Sequence, residues 1–152
     1  MLQRLISGGQ SGVDRAALDT AMQLRIPCGG WCPRGRRAED GPVSSRYPLR
    51  ETPSASYPER TAWNIRDSDA TLVLTRGRPR GGTGLTVSLA RRTGKPVLVV
   101  DLEVSSDIEA VRAWLGENRV EVLNVAGPRE SEHPGVHAQA VGFLAALLVG
   151  SG

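Results

Sequence analysis

The sequence predicts an α/β fold: a single Rossmann-like, doubly wound, mostly parallel sheet with helices on both faces, formed by residues 1–152 as one ligand-binding domain. Three observations predict it. Short apolar runs without polar alternation recur along the chain, as buried parallel strands do. Helical patterns alternate with them. Glycine-rich strings follow two of those runs and open helices, at Gly8-Gly9-Gln10-Ser11-Gly12 and Gly81-Gly82-Thr83-Gly84. No domain boundary, internal repeat or low-complexity tract interrupts the order.

The first predicted strand is Leu2 to Ser7, followed by a helix over Val13 to Leu24 with Val13, Ala17, Met22 and Leu24 as its apolar positions. A stretch rich in Pro, Gly, Arg and Ser then runs from Pro27 to Pro58. Within it a short extra strand fits Cys28 to Trp31, and Gly30 to Gly41 reads as a flap over the sheet edge, with a solvated loop held by internal ion pairs as the alternative. Tyr57 to Asp67 is a helix with Pro58 near its start, where proline is tolerated. Ala70 to Thr75 is the second strand. Leu85 to Thr93 is a helix closed by Gly94. Pro96 to Asp101 is the third strand, and Ser106 to Asn118 a helix with Asp107 and Glu109 in its first turn. Glu121 to Val125 is the fourth strand. Pro134 to Val149 is the last helix, with Val136, Ala140, Phe143, Leu144 and Leu147 on one face.

Composition narrows the function. Of 152 residues 39% are hydrophobic and 23% charged, which is a globular balance. Aromatics are 4%, too few for a stacking platform on single-stranded nucleic acid, and a net charge of +3 is too mild for a nucleic-acid partner. Lys95 is the single lysine against 18 arginines, and arginine's planar fork suits phosphate. No apolar stretch reaches the roughly 20 residues of a membrane span. Met1-Leu2-Gln3-Arg4 runs straight into the first apolar segment, so a cytoplasmic location with Cys28 and Cys32 reduced is expected.

In a parallel sheet all strand-to-helix loops emerge at the carboxyl edge, where ligands bind. Gly8, Gly9, Gln10, Ser11 and Gly12 form the first such loop, a candidate anion site at a helix N-terminus; a tight turn is the alternative. The spacing is neither the dinucleotide fingerprint nor the P-loop. The second candidate is Arg80, Gly81, Gly82, Thr83, Gly84 and Thr86, where a hydroxyl and an arginine join the glycines. Asp14, Asn124 and Arg129 are further candidates, and Arg34, Arg36, Glu39 and Asp40 are those of the flap. Cys28-x3-Cys32 and His133-x3-His137 have the look of zinc spacings, but the halves lie about a hundred residues apart, and no metal site is read. Asp67 and Asp69 fit a helix end as well as a site.

Longer strings carry a resemblance. Gly8-Gly9-Gln10-Ser11-Gly12-Val13-Asp14-Arg15-Ala16-Ala17-Leu18-Asp19, Gly30-Trp31-Cys32-Pro33-Arg34-Gly35-Arg36, Ala38-Glu39-Asp40-Gly41, Tyr47-Pro48-Leu49, Arg60-Thr61, Trp63-Asn64, Arg66-Asp67-Ser68-Asp69-Ala70-Thr71, Gly82-Thr83 and Leu123-Asn124-Val125-Ala126-Gly127-Pro128-Arg129 together resemble the molybdenum (cofactor) carrier family. The resemblance implies a Rossmann-like fold, circularly permuted relative to the lysine-decarboxylase-like and "lonely guy" nucleotide-processing proteins. It also implies a homo-oligomer, dimer or tetramer, and a carried ligand, the molybdenum cofactor (molybdopterin), a pterin phosphate bearing molybdate.

The lonely-guy enzymes carry a catalytic Glu soon after a Gly-Gly-x-Gly-Thr loop. Here Leu85-Thr86-Val87-Ser88 follows Gly84 and no Glu stands there. That departure favours binding over cleavage, with Glu39 or Asp40 as the candidate catalytic substitute. The leading expectation is therefore a carrier of a phosphate-bearing nucleotide- or pterin-like small molecule. The alternatives are a phosphoribohydrolase-like N-glycosidic hydrolase and a nucleotide sensor whose output is a change of assembly.

Overall fold

Parallel strands need crossovers, and each crossover of the main sheet here runs through a helix, one of them with a long loop before it. The computed structural model describes residues 2–104 and 107–149. Its elements are β1 (Arg4–Ile6), α1 (Val13–Gln23), β2 (Cys28–Gly29), β3 (Trp31–Cys32), β4 (Arg50–Glu51), α2 (Tyr57–Arg66), β5 (Ala70–Thr75), α3 (Gly81–Arg92), β6 (Val97–Asp101), α4 (Ile108–Glu117), β7 (Val122–Ala126) and α5 (Val136–Leu148). Five strands form one parallel sheet in the order β2-β1-β7-β5-β6, and β3 pairs with β4 in a small second sheet.

The helices cover both faces. On one side α1 and α4 pack against α5; on the other α2 packs against α3. Strand periodicity sorts the side chains between them. Leu72, Leu74, Leu123 and Val125 join Val13, Ala16, Ala17, Leu144 and Leu147 in the main core. The alternate positions Thr71 and Asn124 face the α2–α3 side, where Asn124 Nδ2 donates to Thr71 Oγ1 at 3.3 Å. Asp69 Oδ2 accepts the N–H groups of Glu121 (2.9 Å) and Val122 (2.8 Å), which registers the start of β7 beside β5.

The expected elements are present, with three differences. The extra strand is the fifth of the sheet, because Cys28 and Gly29 pair with Leu5 and Ile6. The expected Cys28 to Trp31 strand is thus split at Gly30: the chain leaves the main sheet there and Trp31–Cys32 pairs with Arg50–Glu51. Helix α3 begins at Gly81 and not at Leu85, so the second glycine string is a helical turn. The cap of α4 is Asp107, whose carboxylate accepts the Ala110 N–H at 3.1 Å; Ser106, the expected start, lies outside the described residues.

The segment between Pro27 and Pro58 is built and not merely draped. Cys32, Ala38, Val43, Tyr47 and Leu49 bury with Leu18 of α1 as a second, smaller core. Arg36 holds this segment together from inside. Its guanidinium donates to the carbonyls of Val43 (2.8 Å), Ser44 (2.7 Å), Tyr47 (2.9 Å) and Leu49 (3.3 Å). Those four acceptors take up four of the five N–H donors of Arg36, the flap candidate. An Arg36→Ala variant leaves the carbonyls unpaired and is expected to lower stability by about 2 kcal/mol. Urea unfolding at unchanged m-value checks it; an unshifted midpoint would refute the role.

Candidate ligand-binding site

The loops after β1, β5 and β7 emerge at one edge of the sheet, and the N-termini of α1, α2 and α3 point to the same edge. Between them lies a polar chamber of about 70 Å3, floored by Asn124 to Gly127 of β7 and its loop. Gly8, Gln10 and Asp14 form one wall, and Gly82, Thr83 and Thr86 of α3 form another. Tyr57, Arg60, Thr61 and Asn64 of α2 close the third.

Arg60 organises this chamber. It is 7% exposed, and its Nη1 donates to the Gly8 carbonyl at 2.6 Å. A Cβ at position 8 would fall 2.6 Å from Arg60 atoms, so Gly8 is needed for the arginine to dock. The same Nη1 lies 3.9 Å from Asp14 Oδ2. Burial pushes the Asp14 carboxyl up to about 6, against the opposing pull of the Arg60 charge and the Gln10 N–H. Burial also lowers the Arg60 guanidinium, and the Asp14 charge opposes that shift.

The remaining expected residues divide into three groups. Gln10, Asn124, Arg129, Gly82, Thr83 and Thr86 line the chamber with Gly8 and Asp14. Gly9, Ser11, Gly12, Glu39 and Asp40 pack against protein instead. The space beside Gly9 is filled by Leu49, and Gly12, at φ 79°, lies against the backbone of Pro128 to Glu130. Ser11 and Ser131 hydroxyls both donate to the Glu39 carboxylate, and Glu39 N–H donates to Gln10 Oε1 at 2.8 Å. Asp40 forms a two-point ion pair with Arg15 at 2.5 and 3.1 Å. These bonds hold both carboxylates below their usual range, despite partial desolvation. They latch the Gly30 to Gly41 segment onto the loops after β1 and β7. Arg34 is exposed, its backbone N–H bonded to Ser54 O at 2.9 Å, and it lines none of these cavities. Asp67 accepts from Trp31 Nε1 at 2.7 Å and so serves the helix end.

At the start of α3 the first turn leaves backbone N–H groups without helical acceptors. Space beside Gly82 is open. Thr83 is 7% exposed, and its hydroxyl makes no hydrogen bond among the described residues. Thr86 differs: its hydroxyl donates back to the Gly82 carbonyl at 3.0 Å. Arg80 and Thr83 also line a second chamber of about 480 Å3, together with Arg76, Arg78 and His133. Gly84 faces a groove on the outer side of α3, and space beside Gly81 is open.

Arg60, Tyr57 and Asn64 escaped the reading of single motifs. Arg60 and Asn64 stand four residues apart, hence on one helix face, and that polar pair among buried positions was the available signal. Tyr57 carries the guanidiniums of Arg37, Arg60 and Arg129 at 4.3, 5.3 and 5.4 Å from its ring centre.

This topology and edge define a Rossmann-like α/β protein with a polar cleft at the carboxyl ends of its strands. The chain belongs to the circularly permutated YpsA SLOG family, which it matches over residues 5–148. It is 42% identical to a protein of Syntrophus aciditrophicus SB whose crystal structure is described as "Putative molybdenum carrier protein". That similarity covers 97% of this chain and 95% of the other, with a TM-score of 0.93. No curated protein matches the chain significantly. Among the described residues no helix is long and apolar enough to cross a membrane, and no group of three metal-ligating side chains forms.

The Asp14 shift has a measurable consequence. Its folded value of about 6 lies above the ordinary 3.8, so the unfolded chain releases this proton first as pH rises. Asp14 thus withdraws stability between about pH 4 and 6, on the order of 3 kcal/mol in all. Relative to wild type, Asp14→Asn is expected to gain about that amount between pH 4 and pH 7. Parallel pH profiles of the two proteins in urea unfolding would contradict the assignment.

Proposed function

We propose that this chain is a carrier that binds a phosphate-bearing, nucleotide- or pterin-like small molecule in the cleft, with the molybdenum cofactor as its cargo. The observation that carries the reading is Thr83: a largely buried residue whose hydroxyl stays open to the cleft without a protein partner among the described residues, in a helical first turn where the N–H groups of Gly81, Gly82 and Thr83 are likewise unpartnered there. Backbone donors and a hydroxyl at a helix N-terminus favour a phosphoryl group. Gly82, Thr83 and Arg80 hold the phosphate in this reading, and Asp14, Arg60 and Asn124 meet a polar group of the ligand. The 70 Å3 chamber takes one compact group, so the rest of the molecule lies across its mouth. The description of the 42% identical neighbour supports the choice of cargo.

The whole chain acts as one domain in this proposal, as a homo-oligomer in the cytoplasm. The half-buried edge strand Val97–Asp101 supports self-association, because its outer backbone groups are unpaired in the sheet. A second reading, an N-glycosidic hydrolase acting on a nucleotide, is favoured by one observation. Asp14, a carboxyl held near pKa 6, lines the chamber that Glu39 and Asp40 do not enter.

Mass spectrometry of small molecules released from the natively purified protein is expected to show a phosphorylated pterin or nucleotide. Thr83→Ala is expected to weaken calorimetric binding of that molecule about ten-fold, with unfolding unchanged. Equal affinity in the variant would remove the site. Free base released on incubation, and lost in Asp14→Asn, would replace the carrier reading by the hydrolase.

A further inference from the structure

The larger chamber extends beyond Thr83, away from Asp14 and Arg60. It is about 480 Å3 in volume and lies among the loops after β5, β6 and β7. Thr83 and Glu132 line both chambers, so the two adjoin at the start of α3. Three arginines face the larger one, and they are not equivalent. Arg76 is used by the protein: its Nε donates to Gln139 Oε1 at 2.6 Å and its Nη1 to Pro134 O at 2.8 Å. Arg78 and Arg80 are exposed, and neither guanidinium has a hydrogen bond or ion pair among the described residues.

That separates them from the paired arginines elsewhere. Arg15, Arg46, Arg66 and Arg112 each have a carboxylate within 2.8 Å. The backbone that carries Arg78 is nonetheless held. Gly77 N–H donates to Asp101 Oδ1 at 3.0 Å, tying the loop after β5 to the end of β6. Of the acids on this chamber, Glu132 stands 3.6 Å from Arg129 Nε. Glu103 N–H bonds to the same Asp101 oxygen at 2.9 Å.

One phosphoryl group at Gly82, Thr83 and Arg80 accounts for the helix terminus and the buried hydroxyl. It leaves Arg78 unexplained, one residue before Pro79 on a tethered loop, facing a chamber several times larger than the first. We propose that the larger chamber is a subsite for a second phosphoryl group, so that the pterin- or nucleotide-like cargo is bound from Thr83 to Arg78 in a diphosphoryl form and not as the monophosphate. This rests on the phosphate reading of Thr83. Two linked phosphoryl groups present a row of acceptor oxygens to two guanidinium forks, which is the geometry in which arginine binds phosphate best.

Calorimetry of the full chain at constant ionic strength tests this with inorganic phosphate and inorganic pyrophosphate. Pyrophosphate is expected to bind about ten-fold more tightly than phosphate. Arg78→Ala is expected to remove that preference while phosphate affinity stays unchanged, and Arg78→Lys to keep part of it. Arg80→Ala and Thr83→Ala are expected to weaken both anions. Adenosine mono- and diphosphate serve as a second pair: a diphosphate preference there assigns the group to a nucleotide, and one confined to pyrophosphate assigns it to the free anion. Equal affinity for phosphate and pyrophosphate, or a preference that survives Arg78→Ala, overturns the subsite alone. Failure of both anions to bind, or insensitivity of both to Thr83→Ala, overturns the underlying phosphate reading as well.

Discussion

The guanidinium of Arg60 is almost withdrawn from water, and a buried cation must be compensated where it lies. Two partners do this, the Gly8 carbonyl at 2.6 Å and the Asp14 carboxylate at 3.9 Å. Much of the cleft depends on that arrangement. The first turns of α2 must dock onto the loop after β1, position 8 must lack a side chain, and Asp14 must sit in the first turn of α1. The burial that accommodates the cation also desolvates the acid, which is why Asp14 is raised in spite of its neighbour.

The walls around this contact differ in stiffness. On one side Glu39 joins Ser11, Gln10 and Ser131, and Asp40 joins Arg15. Those bonds bridge the loops after β1 and β7 through the long connection, and Arg36 keeps the connection itself in shape. On the other side the turn that opens α3 keeps a Thr83 hydroxyl and the guanidiniums of Arg78 and Arg80 without protein partners among the described residues. Side chains bridge the first glycine loop to its neighbours, and among the same residues none bridges the second.

Much of the fold was legible in the sequence because parallel strands buried on both faces must be continuously apolar. Ala70 to Thr75 is such a run and appears with those same bounds. The strand read at Cys28 to Trp31 divides at Gly30, and only the pairings with Leu5 and Ile6 on one side and Arg50 and Glu51 on the other decide that. Gly81 to Gly84 reads as a loop by intrinsic propensity, since glycine is a poor helix former. Tertiary placement after β5 overrides that preference. Of the site, Gly8, Gln10, Asp14, Gly82, Thr83 and Asn124 were legible, because glycine strings after strands mark the carboxyl edge. Arg60 was not, because its spacing from Asn64 marks a shared helix face and says nothing of the Gly8 loop that face meets.

The sequence by itself determined the α/β order, the parallel sheet, the edge at which loops gather and the family strings. These follow from local pattern: apolar runs, helical spacing and turn residues act over a few positions. Tertiary structure alone decided which charged groups are spent and which remain free. Arg36 meets Val43 to Leu49, Glu39 meets Ser11 and Ser131, and Arg60 meets Gly8, each pairing set by where separate segments come to rest. Hydrogen-bond satisfaction is a property of neighbours in space, and for Glu39 and Ser131 those neighbours are 92 residues apart in the chain.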